Sequence, residues 1–263
     1  MPDSSELYVE YDPPLAWIVF NRPEKHNAFT KRMWRDLPEL IKELEVDHTV
    51  RVIVFRGAGE ASFSVGADIE ELKRLYDEDG PETGFLGHTG IAVDAIAECH
   101  TPTIAMIHGL CFGGGCAIAL CADIRIASEE ATFAMTPAKL GLGYSFNGVE
   151  RAVQELGPAN ARYLLMTAKR VLGEDALQTG LVQELHKKED LLEATLELAH
   201  TVASNAPKTI RAIRKSIQQV LLPPSDRSTK AIHQWIVDCA NSDDYQEGLQ
   251  AFMEKRKPKF RGR

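Results

Sequence analysis

The sequence predicts an α/β core that continues into a helical C-terminal third, and three observations carry that prediction. Apolar, strand-like runs at residues 52–56, 103–107 and 124–127 alternate with helical patterns, the arrangement that yields a largely parallel sheet. Two of these strands lead through glycine-flanked bends into helices, at Gly66-Ala67-Asp68 and at Gly113-Gly114-Gly115. Beyond residue 159 the apolar residues recur mostly at helical spacing.

Residues 7–10 and 16–20 alternate polar and apolar side chains around Asp12-Pro13-Pro14, which predicts a hairpin. Residues 21–27 are polar with one proline and form a loop, after which Thr30 is placed to cap a helix. Met33, Leu37, Leu40, Ile41 and Leu44 give that helix a core-facing stripe to about Val46. Strand 52–56 and the Gly66 bend follow, with a helix starting at Ile69. Residues 77–89 are mostly polar and carry Gly80, Pro81, Gly84 and Gly87, which predicts a mobile surface loop able to cover a site; helix resumes at 91–97. Strands 103–107 and 124–127 bracket the glycine triplet and its helix. Helices over 159–167, 175–179, 191–204, 209–221, 228–239 and 244–255 complete the chain, with Gly180 fitted to a helix C-cap and Pro223-Pro224 separating two of them.

A chain of 263 residues can bury one large core without covalent staples. Its 44% apolar and 26% charged content is ordinary, and a net charge of −8 argues for solubility and against a nucleic-acid partner. No apolar run approaches a membrane span, and residues 1–10 lack the marks of a signal or transit peptide, so a cytoplasmic location is expected. The five cysteines, Cys99, Cys111, Cys116, Cys121 and Cys239, are an odd set without paired metal-ligand spacing, and small buried thiols are the expectation. There is no G-x-S-x-G elbow, P-loop, H-E-x-x-H or dinucleotide fingerprint. No metal is expected.

Gly113, Gly114 and Gly115 at a strand-to-helix switch let a ligand approach backbone N–H groups at a helix N-terminus, where an anionic oxygen is favoured. For an isolated triplet a tight turn with close helix–sheet packing is the favoured reading. The bend at Phe63-Ser64-Val65-Gly66-Ala67-Asp68-Ile69 repeats the arrangement of strand, small residues and helix start.

Four stretches together resemble the crotonase superfamily, the enoyl-CoA hydratase/isomerase family of acyl-CoA enzymes. They are N-R-P-E-K-H-N-A at 21–28, F-S-V-G-A-D at 63–68, H-G-x-x-x-G-G-G at 108–115 and the ending D-Y-Q-E-G-L-Q-A-F-M-E-K-R-K-P-K-F at 244–260. The resemblance spans nearly the whole chain. It implies a spiral of repeated β-β-α turns over residues 1–200, holding an acyl-CoA site. It also implies a helical region over 201–263 that packs on the core and on neighbouring subunits in a homo-trimer or dimer of trimers.

In this family two backbone N–H groups hold the thioester oxygen as an enolate forms, and by motif position these fall on Ala67 and Gly114. Coenzyme A is then part of the substrate and no resident cofactor is implied. Family members that hydrate enoyl-CoA carry one glutamate two residues beyond the triplet and another in an F-G-x-P-E segment; here those places hold Ala117 and Pro137. Paired carboxylates shuttle the protons of water, so their replacement departs from the hydratase pattern. The segment Met135–Ser145, M-T-P-A-K-L-G-L-G-Y-S, is similar instead to the family's methylmalonyl-CoA decarboxylase branch, which would put Tyr144 at the reacting end. That branch has a histidine where Ala67 stands and a glutamate where Ala117 stands, so the match is partial. A core tyrosine bonded to backbone is the equal alternative.

Asp68 is placed to cap the Ile69 helix, and Asp123 to fix a turn before a strand. Glu70, Glu71, Asp77, Glu78, Asp79, Glu82 and His88 lie on or beside the expected covering loop, on a solvated surface, and His26 and His108 are read as satisfied structural histidines. For the CoA moiety the resemblance implies Lys25, the Ser64, Gly66, Ala67, Asp68 and Ile69 backbone around adenine, and Phe252 and Lys255 reaching the CoA of an adjacent subunit. The tail carries Lys255, Arg256, Lys257, Lys259, Arg261 and Arg263, a charge run that also serves solubility alone.

Overall fold

The computed structural model describes residues 5–83 and 85–263, with side chains 75, 76, 79–83 and 85–87 outside the description. The expected hairpin forms from β1 (Leu7–Asp12) and β2 (Leu15–Phe20), antiparallel with Leu7 opposite Phe20. Thr30 caps α1 (Lys31–Val46) by accepting from the Met33 N–H, and Met33, Trp34, Leu37, Ile41 and Leu44 face the core.

Three strand pairs then repeat one plan: β3 (Val52–Gly57) with β4 (Ser62–Ser64), β5 (Thr103–Ile107) with β6 (Leu110–Phe112), and β7 (Ile124–Ser128) with β8 (Thr132–Ala134). The first strand of each pair joins a six-stranded sheet ordered β1-β2-β3-β5-β7-β10, where β10 is Glu184–His186, and the second joins a four-stranded sheet ordered β4-β6-β8-β9, where β9 is Val171–Leu172. Between successive turns of the spiral the pairing is parallel, β3 with β5 with β7 and β4 with β6 with β8. The short second strands are too brief to register in the apolar pattern. Their turns need glycine: at Gly109, φ +58°, a Cβ would overlap the Ala61 carbonyl oxygen.

The large sheet is buried on both faces, which explains the unbroken apolar runs of β2 (six buried residues) and β5. One face packs on α1, α3 (Phe85–Glu98) and α4 (Gly114–Cys121); the other, with Leu15, Val52, Ile104 and Ile126, packs on α7 (Leu191–Ser204). Arg125, buried on β7, donates to the Leu181 and Ala122 carbonyls and to Glu155, so its charge is spent inside the fold.

Two expectations are corrected. Residues 77–89 are not a loop: α2 (Ile69–Thr83) and α3 carry helix through almost all of this stretch, and Gly84 lies outside the described residues. Glycine and proline lower helix propensity by amounts that packing can override, and α2 and α3 pack on each other. The second is that α5 (Phe146–Thr167) begins well before residue 159, capped by Ser145, and is broken at Gly157 where φ is +72°. α6 (Gly173–Gln178), α8 (Pro207–Leu221), α9 (Thr229–Ala240) and α10 (Asp243–Met253) match the helical C-terminal third, with Pro223-Pro224 between α8 and α9. Among the described residues no helix is long and apolar enough to cross a membrane.

Candidate active site

The Asn21–Ala28 loop acts as a brace. Asn27, fully buried with φ +56°, donates to the Ala58 and Ser62 carbonyls and accepts from the Arg22 N–H. Ser64, equally buried, donates to the Asn27 carbonyl and accepts from the Gly66 N–H, so its side chain is used in holding the bend. Arg22 reaches the Ala28 carbonyl at 2.7 Å, Asp68 at 3.0 Å and Glu6 at 3.2 Å.

This bracing orients Ala67. Phe29 pairs with Ala67 in a parallel bridge: the Phe29 N–H donates to Gly66 and the Asp68 N–H to Phe29. In such a bridge the paired residue's own N–H points to the other side. Opposite stands Gly114, the first residue of α4, whose N–H has no intrahelical acceptor. No group among the described residues accepts from either N–H.

The two bends touch. A Cβ on Gly66 would overlap the Gly114 nitrogen, and one on Gly115 would overlap the Ser64 carbonyl oxygen. A Cβ on Gly114 would stand 3.0 Å from the Trp34 ring and 3.2 Å from Gly66 Cα. Glycine is therefore required on both sides by close approach of backbone to backbone.

Ala67 and Gly114 line one cavity of about 90 Å³, together with Val65, Ile69, Leu72, Val93 and the 136–145 segment. None of the described lining residues is an acid, histidine, lysine, arginine or cysteine; the titratable one is Tyr144. Its ring lies against Gly148, where a Cβ would come within 2.6 Å of Cε1. Its hydroxyl oxygen is buried and has no partner among the described residues, so the backbone-bonded core tyrosine is not what the structure holds. Burial, with Cys116, Cys121 and Cys111 nearby, pushes its pKa well up, and it stays a phenol that can donate.

The family model for enoyl-CoA hydratase/isomerase matches residues 11–263. The chain belongs to the enoyl-CoA hydratase/isomerase family. It is 31% identical over 253 residues to the short-chain-enoyl-CoA hydratase of Clostridium acetobutylicum, covering 96% of each chain. It is 32% identical over 265 residues to the carnitinyl-CoA dehydratase of Salmonella typhi, covering 99% of this chain and 100% of that one. Among solved structures, an enoyl-CoA hydratase/carnithine racemase from Magnetospirillum magneticum superposes with a TM-score of 0.94 at 28% identity, covering 99% and 97%.

Within this hydratase/isomerase-family chain the remaining expected residues fall as follows. Ala117 and Pro137 both line the cavity, so the two places where a hydratase glutamate would stand do face it. Asp68 is a cap: its Oδ1 accepts from the Glu70 and Glu71 N–H groups. Burial pulls its carboxyl upward, but the hydrogen bond from Arg22, those two backbone donors and the Arg22 charge outweigh it and hold the pKa below the ordinary value. Asp123 accepts from the Thr103 N–H and hydroxyl and pairs with Arg214 of α8 at 2.7 Å, fixing the turn and anchoring the C-terminal helices. His26 is satisfied by Ser62, whereas His108, also expected to be satisfied, leaves Nε2 buried without a partner among the described residues.

Lys25 ends a short turn and lies 3.5 Å from Glu70 at the start of α2, near the exposed Ile69. Phe252, 85% exposed, and Lys255 sit at the end of α10, which packs on α9, and neither lines the cavity of its own chain. Asp79 and Glu82 have side chains outside the description. Sequence reasoning placed helix at 91–97 but did not name Val93, Thr136, Leu140, Leu142 or Gly148 as cavity walls; it gave the covering role to the polar, glycine-bearing run 77–89, of which Thr89 lines the cavity.

Proposed function

We propose that this chain acts on an acyl-CoA thioester by stabilising its enolate, the Ala67 and Gly114 N–H groups forming the oxyanion hole. The observation that carries the reading is the pair of undonated backbone N–H groups on two touching bends that line one apolar cavity. Such donors are fixed before the reaction and match charge that appears only as the enolate forms. The names of the relatives, hydratases and dehydratases of CoA thioesters, agree with this substrate class. Coenzyme A enters as part of the substrate, on the Lys25 and Ile69 side, while Ser64, Gly66 and Asp68, whose N–H and carbonyl groups are engaged in the bend, shape it from beneath.

The reaction class follows the hydratase/isomerase name, and a second reading has its own support. The described cavity wall offers no carboxylate to hold and shuttle a water proton, and Tyr144, which lines it, keeps its hydroxyl buried near Cys111, Cys116 and Cys121. Loss of carbon dioxide from a carboxyacyl-CoA needs the oxyanion hole and a group to orient the carboxylate, and needs less from a base. Incubation with crotonyl-CoA and methylmalonyl-CoA, following enoyl absorbance and carbon dioxide, separates the readings. Water addition supports the hydratase, gas release the decarboxylase, and tight binding with neither outcome a non-catalytic acyl-CoA-binding protein.

The same proposal extends to assembly. The α8–α9 face leaves Ile213, Ile217, Val220 and Ile236 exposed around an apolar groove of about 490 Å³, and α10 adds Phe252 and Met253. A homo-trimer or dimer of trimers would cover such surface and bring Phe252 and Lys255 to a neighbour's CoA. Removing the residues after Gln250 should then weaken CoA binding and reduce oligomer size together.

A further inference from the structure

A second cavity, about 610 Å³ and open to solvent along Glu98, His100, Asn147, Glu150 and Pro223, adjoins the first, between α3, α4, α5 and α8. The two share Val93, Ala117 and Gly148 as lining, so these residues form the partition between them. Ala117 presents a single methyl there and Gly148 presents no side chain. The first cavity has the volume of about three waters. A thioester carbonyl held at the Ala67 and Gly114 N–H groups would have Ala117 and Gly148 as its neighbours on the side of the second cavity.

The second cavity has two kinds of wall. Leu120, Leu221 and Pro223 contribute an apolar side; Asp94, Asn147, Arg151, Gln154 and Gln218 contribute a polar one. An alkyl end would displace water from those polar groups without replacing its hydrogen bonds, which costs free energy. A carboxylate end would face Asp94, Glu98 and Glu150 with only Arg151 and His100 to offset them. Asp94 already orients Asn147, which donates to its carboxylate at 3.1 and 3.2 Å, leaving the amide oxygen to accept from a ligand.

Resting on the acyl-CoA reading above, we infer that the substrate's acyl group passes over Ala117 and ends in an uncharged hydrogen-bonding group held in this second cavity. The thioester lies with CoA on the Ile69 side of the amides and the acyl end on the Asn147 side. Ala117 is then a specificity-determining residue, because any larger side chain narrows the passage.

Calorimetric titration of the full-length protein with hexanoyl-CoA, 6-hydroxyhexanoyl-CoA, adipoyl-CoA and acetyl-CoA tests this. The hydroxylated thioester should bind about tenfold tighter than hexanoyl-CoA, and adipoyl-CoA weakest of the six-carbon set. Ala117→Leu should lower the ratio of 6-hydroxyhexanoyl-CoA to acetyl-CoA affinity about tenfold. Asp94→Leu should abolish the preference for the hydroxyl end. Equal binding of the six-carbon thioesters, tightest binding of adipoyl-CoA, or an unchanged ratio in Ala117→Leu overturns the second-cavity assignment while leaving the acyl-CoA reading standing. Absence of binding by all four thioesters overturns both.

Discussion

Gly114 concentrates two demands in one residue: its N–H must face the cavity and its missing side chain must admit Trp34 and Gly66. Gly114→Val should lower turnover about 10²- to 10³-fold with the far-ultraviolet spectrum retained, because a branched side chain against Trp34 and Gly66 pushes the N–H off the point it shares with Ala67; undiminished kcat in a folded variant would sink the assignment. Tyr144 makes the opposite test. Its hydroxyl is buried without a partner among the described residues, so Tyr144→Phe should hold or raise Tm while turnover falls at least about tenfold. A raised Tm with unaltered turnover would return Tyr144 to the core. His108, 6% exposed, has its pKa lowered by burial and further by Arg56 and Lys188, against Glu60 and a Gly59 hydrogen bond acting upward. The unfolded chain therefore binds its proton first as pH falls, and the stability this group contributes is full above about pH 6.5 and lost below it. Denaturant titrations at successive pH values should show that loss, and His108→Gln should flatten it.

Elements show where local pattern was enough. The stripe of α1 and its Thr30 cap are local features, as are the fully apolar strands of the large sheet, and each is legible without knowing a partner. The 77–89 stretch is not, because its helical state depends on packing of α2 against α3 while its glycines and proline argue locally for a loop. Asp68 joins the two kinds of information: it caps α2 locally and pairs with Arg22 across 46 positions in sequence. Asp68→Ala should cost about 1–2 kcal/mol from the cap, measured by chemical denaturation. It should also disturb the Ala67 bend, seen as a weaker CoA thioester affinity; unaltered stability would mean the cap carries no weight.

At the scale of the whole molecule the spiral brings together residues that no local window relates. Ala67 follows the first turn, Gly114 the second and Tyr144 the third, and successive parallel pairing in the small sheet stacks those turns so that all three line one cavity. The exposed apolar face of α8 and α9 belongs to the same scale. Ile213→Asp combined with Ile217→Asp should yield a monomer in sedimentation velocity where the parent chain sediments as a trimer or hexamer, and a monomeric parent would remove the assembly proposal.

The amino-acid sequence by itself determined the helical stripes, the buried strands and the identity of both glycine bends, because each follows from side-chain periodicity or from the conformations glycine alone permits. It also determined that alanine and proline, not carboxylates, stand at 117 and 137. Tertiary structure decided what these pieces do together. Which N–H groups are left undonated depends on the Phe29–Ala67 bridge and on where α4 begins, which cavity wall a residue lines depends on stacking of the spiral, and the passage over Ala117 exists only because α3, α4, α5 and α8 converge around it. Those are long-range contacts, whose energetics no short stretch of sequence encodes.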